Sequence, residues 1–151
     1  MHTRKWWLGV VLLLFAACKE QAPHARPETA VEELIHQMRR VHGEPGAAES
    51  AYDLLWSEAQ ANLQERAKRA SALTGRKIEP AEMITPSKFM PSFTPRSFEA
   101  EHHGKWARVL IAGEQSGERA EARCVVEDGR WRVAVRLPPL PIIEKRSAEE
   151  R

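Results

Sequence analysis

Cysteine, tyrosine and glycine are scarce in this chain, and each scarcity closes a route to function. Its two cysteines, Cys18 and Cys124, do not form the Cys-x-x-Cys spacing of a dithiol redox motif or a structural zinc site. The eight glycines build no loop that would cradle phosphate. Gly113-Glu114-Gln115-Ser116-Gly117 misplaces its serine for the Gly-x-Ser-x-Gly turn that exposes a nucleophile. The single tyrosine, Tyr52, precedes Asp53 on a helical stretch, about 100° away around the axis, so both cannot point inward. His102 and His103 are strand neighbours facing opposite ways and cannot share a metal. Glu32 and His36 sit one helical turn apart, but a tetrahedral site needs further ligands and none is evident. No catalytic residue, metal site or cofactor motif emerges.

What is present begins at the N-terminus. Arg4 and Lys5 precede an uncharged apolar run, Trp6 to Ala17, of twelve residues. A helix that spans a bilayer needs roughly twenty. A positive start, a short apolar core and small residues before a cut are the parts of a secretory signal. Phe15-Ala16-Ala17-Cys18 closes the run and resembles the lipobox of a bacterial lipoprotein signal, with Phe15 where an aliphatic residue usually stands. The resemblance implies cleavage between Ala17 and Cys18 and a diacylglyceryl group on the Cys18 thiol. Each buried methylene then contributes about 0.8 kcal/mol, so such an anchor is effectively permanent. The alternative is an ordinary secretory signal with Cys18 as a bystander. Lys19 after the cysteine, where Asp could stand, favours the outer membrane by resemblance to lipoprotein sorting in Gram-negative bacteria. The expected location is therefore the cell envelope, lipid-anchored and facing the periplasm.

Arg4 and Lys5 also account for the whole formal charge of +2, so residues 18–151 carry equal numbers of basic and acidic side chains. That excludes a general nucleic-acid binder, which needs a basic footprint for phosphates. The mature length suits one domain around one core. With Cys18 acylated, Cys124 has no partner for an internal disulfide and is expected as a buried, inert thiol.

The spacing divides the chain into a signal (1–17), a lipidated cysteine with a flexible polar tether (18–26), an α+β domain (27–138) and a charged tail (139–151). Pro27 and Glu28 open a helix whose stripe is Val31, Leu34, Ile35, Met38 and Val41, with Gly43 as its cap. A second helix runs from Ala47 to about Trp56. Ser57-x-x-Gln60 reads as a capping box that starts a third, whose narrow stripe of Ala59, Leu63, Ala67 and Ala70 permits close approach to a sheet and ends near Gly75. An unbroken helix from Ala47 to Leu73 is the competing reading. From Thr74 to Pro95, four prolines break regular structure, yet Met83, Phe89, Met90 and Phe93 carry more apolar mass than a solvent loop needs. With Tyr52 they mark a pocket or lid, or else a strap covering the end of the core. Strands follow at Arg96–His103, Lys105–Ala112, Glu118–Glu127 and Arg130–Leu137, with Asp128-Gly129 as a two-residue hairpin turn.

Helices first and antiparallel strands after them mean α+β: N-terminal helices gathered on one face of a curved sheet of about four strands. The order, the break at Trp56-Ser57 and the closing Glu127-Asp128-Gly129-Arg130-Trp131-Arg132-Val133 resemble the nuclear transport factor two-like (cystatin-like, SnoaL-like) superfamily, over roughly Pro27 to Leu137. The resemblance implies a cone-like domain, often enclosing a pocket and often dimeric through its sheet. The polar feature that stands out is an arginine row, Arg130, Arg132 and Arg136 with Arg123 beside it, able to meet anionic groups unless Glu121 and Glu127 neutralise it across the strands. Three functions remain open. One is a non-catalytic binding or interaction module that meets an envelope protein or a small apolar ligand. The second is a small isomerase- or dehydratase-like enzyme, and the third a purely structural envelope protein.

Overall fold

The computed structural model describes Ala22 and residues 24–141. The signal, the cut at Ala17, lipidation of Cys18 and the charged tail from Ile142 lie outside the described residues. Three helices, α1 (Pro27–Arg40), α2 (Ala47–Leu54) and α3 (Ser57–Thr74), precede four strands. These are β1 (Ser97–His103), β2 (Trp106–Ala112), β3 (Arg119–Glu127) and β4 (Arg130–Val133). The strands form one antiparallel sheet in the order β1-β2-β3-β4, and with the helices packed on it the fold is α+β.

α1 begins at Pro27, whose fixed φ suits the first helical position. The Thr29 hydroxyl donates to the Arg26 carbonyl at 2.8 Å and accepts the Arg26 amide at 3.3 Å. Val31, Leu34, Ile35 and Met38 are each 5 % exposed or less, and the helix lies across all four strands. It meets Val109, Ile111, Cys124 and Val133 of the sheet in one core. Burying each such aliphatic side chain contributes about 1.5–3 kcal/mol, which makes α1 the main apolar partner of the sheet. Gly43 is not its left-handed cap. Val41 stays helical, and the glycine with positive φ is Gly46, at 83°, just ahead of α2.

The break between α2 and α3 falls at Leu55-Trp56, so the two-helix reading holds over the unbroken one. The capping box does not. Trp56 occupies the N-cap position, and the Gln60 amide donates to the Tyr52 carbonyl at 2.9 Å. The cap comes from the far end of the sheet: the Glu127 carboxylate accepts the Ser57 amide and the Ser57 hydroxyl, both at 2.8 Å. A carboxylate there satisfies an orphan amide and complements the helix dipole. The small-residue stripe of α3 is buried at Ala59, Leu63 and Ala67, but it packs on the 3-10 turn Pro80–Met83 rather than on the sheet. Gly75 ends the helix at φ 72°, as expected.

Ala107, Val109 and Ile111 of β2 and Cys124 of β3 face α1, while Trp106, Arg108, Leu110 and Arg123 face outward. Both residues of the Asp128-Gly129 turn have positive φ (51° and 73°), as a type I′ hairpin requires. His102 of β1 and Trp131 of β4, on the inner face of the two outermost strands, bring their rings within 5.5 Å edge to face. Four strands spaced about 4.8 Å apart allow that only if the sheet curls at this end.

β4 is shorter than its alternation suggests. After Val133 the chain turns, with Val135 N–H donating to Val133 O at 3.1 Å and the Trp56 indole N–H donating to Val135 O at 2.9 Å. Val135 and Leu137 still rest on the core, but off the sheet. Asn62 and Arg66 then bind the Pro138 carbonyl and Arg69 binds that of Pro141, so the start of the tail lies along α3. The outer edge of β4 is closed by His24, whose carbonyl accepts the Trp131 amide at 3.1 Å, and by Leu55, which bridges Val133.

Glu127→Ala removes a cap that comes from the β3–β4 hairpin. It should cost about 1–2 kcal/mol in urea-induced unfolding, with hydrogen exchange accelerated in the first turn of α3. An unchanged midpoint and unchanged exchange at Ser57 would contradict the cap.

Candidate functional site

Two regions concentrate side chains that are neither plain core nor plain solvent face: the proline-rich cover and the outer face of the sheet. The cover is built on two 3-10 turns, Pro80–Met83 and Pro86–Lys88, each opened by a proline. Glu82 accepts the Glu79 amide at 2.7 Å, which ties the first turn shut. Ile84 is buried, and Met83, Phe89, Met90 and Phe93 lie half-buried on the core. The apolar mass of this segment thus packs against the core. A groove of about 290 Å³ lies between α1 and the sheet, lined by Val31, Leu34 and Ile35, by Ala120 and Ala122, and by Phe89 and Met90.

Phe93 is seated by Gly113. A Cβ on that glycine would fall 2.7 Å from the Cβ of Glu118 and 2.8 Å from the Phe93 ring. The Glu118 carboxylate accepts the amides of Glu114 and Gln115, at 2.9 and 3.1 Å, and so closes the β2–β3 turn at the same point.

Tyr52 does not converge with the cover residues. Its hydroxyl donates to the Gln60 carbonyl at 3.4 Å and accepts from the Gln64 amide at 2.9 Å, which fixes it in the α2–α3 junction. It borders neither the groove nor the outer concavity. Of the five residues expected to mark one pocket, Phe89 and Met90 line the groove, Met83 borders an adjoining hollow beside α3, Phe93 packs at Gly113, and Tyr52 stands apart.

The arginine row is likewise dispersed. Arg130 and Arg132 share the outer face with Arg123, but Arg136 lies beyond the end of β4. Arg132 donates to the Asp53 carbonyl at the end of α2, and Arg123 lies over the Trp106 ring, 4.8 Å from its centre. His103 stacks on the same indole at 4.1 Å. Glu127, expected to neutralise the row, is turned away to Ser57, while Glu121 faces Arg108 at 3.9 Å. Arg108 also donates to Glu101 at 2.5 Å, and the hydrogen bond and charge of Glu101 raise its pKa further. A concavity of about 520 Å³ on this face has Leu110 among walls of Glu99, Arg108, Arg119 and Glu121. Such walls carry both signs of charge and suit complementary side chains better than a lone anion.

His36 contacts Arg40 at 2.6 Å, and His102 rests on Trp131. Among the described residues, no group of three or more metal-ligating side chains comes together. Cys124 is fully buried, its thiol 3.7 Å from the Pro27 carbonyl. Burial, and secondarily the charge of Glu28, push it up to about 12. A thiol so rarely ionised is a poor nucleophile. Comparison with protein-family models, with characterised proteins and with solved structures finds no match to this chain.

Sequence reasoning missed the Glu127 cap and the carbonyl clamp of Asn62, Arg66 and Arg69, because each joins residues about 70 positions apart. The only local hint was polar side chains set on one flank of α3.

The unfolded Cys124 thiol loses its proton near pH 9.0 and the folded one only near 12, so stability is intact below 9.0 and declines as pH rises towards 12. Relative to Cys124→Ala, the native chain should lose about 1.4 kcal/mol per pH unit in that window, read from urea midpoints. Parallel pH profiles for the two would contradict a protonated buried thiol. Gly113→Ala should cost about 1–3 kcal/mol through overpacking, with Phe93→Ala in the same chain recovering part of it. Additive losses would rule out the steric account.

Proposed function

We propose that this chain is a bacterial lipoprotein: Cys18 carries the lipid, residues 19–26 form a short tether, and a nuclear transport factor two-like domain serves as a non-catalytic binding or interaction module of the cell envelope. The lipobox-like Phe15-Ala16-Ala17-Cys18 supports the anchor. The observation that carries the non-catalytic reading is the cover. Phe89, Met90 and Phe93 pack against the core, and Tyr52 is spent on hydrogen bonds within the α2–α3 junction. The outer sheet face, with Trp106 and Leu110 among charges of both signs, is the surface offered to a partner, whether an envelope protein or a second copy of this chain. Lys19 favours outer-membrane sorting facing the periplasm.

Radiolabelled palmitate supplied to a bacterial host should label the protein and float it with outer-membrane vesicles, and Cys18→Ala should abolish both. A Cys18→Ala chain that still labels would overturn the anchor. Turnover of a small isomerase or dehydratase substrate that Tyr52→Phe eliminates would overturn the non-catalytic reading.

A further inference from the structure

The position of His24 determines which end of the domain a tether would hold. Its carbonyl accepts the Trp131 amide at 3.1 Å, beside the Asp128-Gly129 turn. Lys105 bonds back to Val126 at 2.9 Å, so the Gly104-Lys105 turn lies at the same end of the sheet. From Cys18 to His24 there are six residue steps, which reach at most about 20 Å even when fully extended. On the anchoring proposed above, this hairpin end is therefore confined close to the bilayer.

We infer that the hairpin end docks on an anionic lipid surface, with Lys105, Arg123 and Arg130 meeting lipid phosphates and Trp106 at headgroup level. Three observations converge. These three cations and Arg26, two residues beyond His24, are exposed, against Asp128 as the exposed acid of the two turns. Glu127 stands opposite Arg130 in the register but is hydrogen-bonded to Ser57, and Glu101, in the same cross-strand row as Arg123, is paired with Arg108. Trp106 is half-buried between His103 and Arg123, an amphipathic ring with cationic neighbours, as at membrane–water interfaces. The other end of the sheet offers no such excess: Arg96 pairs with Glu114 at 3.2 Å, and Arg119 lies near Glu118 and Glu121. Because basic and acidic residues balance over residues 18–151, this local excess is a feature of placement, not of composition.

The test uses the acylated full-length chain, reconstituted into vesicles of phosphatidylglycerol or of phosphatidylcholine, with amide hydrogen exchange as readout. A cation held at an anionic surface strengthens association about fivefold. Exchange at Gly104, Lys105, Gly129 and Arg130 should therefore be at least about fivefold slower on phosphatidylglycerol than on phosphatidylcholine. Lys105→Glu with Arg130→Glu should erase the difference, as should molar salt. Lys105 is an exposed turn residue and Arg130 the exposed first residue of β4, and unchanged circular dichroism verifies the fold. Equal rates in the two lipids, or slowing that survives the charge reversal, would overturn the inference; so would slowing confined to Glu114–Gly117. The mass of the N-terminal peptide separates the two claims. A free Cys18 thiol sinks the anchor alone, and flotation of that unacylated chain with phosphatidylglycerol, lost on charge reversal, still decides the docking surface.

Discussion

The fold depends on a three-residue interruption. At Leu55-Trp56-Ser57 the chain leaves α2, bridges β4 through Leu55, donates the Trp56 amide to Val133 O at 3.1 Å and hands the start of α3 to Glu127. The Trp56 indole then captures Val135 O and bends the C-terminal segment off the sheet. Helix order, the length of β4, the closure of its edge and the route of the residues after it all follow from this junction. An uninterrupted helix from Ala47 onward would have left the β4 edge bare at Val133. Leu55 is fully buried, so the backbone hydrogen bonds there are shielded from competing water.

That junction keeps the helical layer in two tiers. α1 lies across the sheet and buries a wide aliphatic stripe, whereas α3 stands over the proline-rich cover through alanines and Leu63. The cover is thus held from both sides, by α3 above and by the core below. Its aromatic side chains, Phe89 and Phe93, pack against that core.

Much of this was legible in the sequence wherever the signal was local. The stripe of α1, the alternation of β2, the Asp128-Gly129 turn and the break before Ser57 each depend on residues a few positions apart, and all are in place. Alternation misled at Val135 and Leu137. It reports which side chains face the core, and they do, but it carries no information on where backbone pairing ends. Ser57 with Gln60 matched a capping pattern, yet a carboxylate 70 residues away binds the same amide with full charge. In the arginine row, spacing placed Arg132 on the correct face but could not reveal the Asp53 carbonyl beyond the strand edge, nor that β4 ends before Arg136. The cover residues were identified by their apolar excess alone, which could not distinguish a seal from a gate.

β4 has its outer rim closed by His24 and Leu55, whereas β1 turns the backbone groups of Phe98, Ala100 and His102 outward, with no strand beside them among the described residues. Its exposed side chains include Glu99 and Glu101. If two molecules tried to zip together there, every antiparallel alignment overlapping most of the strand would set a glutamate against a glutamate, an unfavourable cross-strand pair. On the proposed anchor, molecules crowded in a plane would meet edge-on far more often than in dilute solution. The acidic rim would keep such neighbours apart as individuals, while leaving the strand open to a segment rich in lysine or arginine.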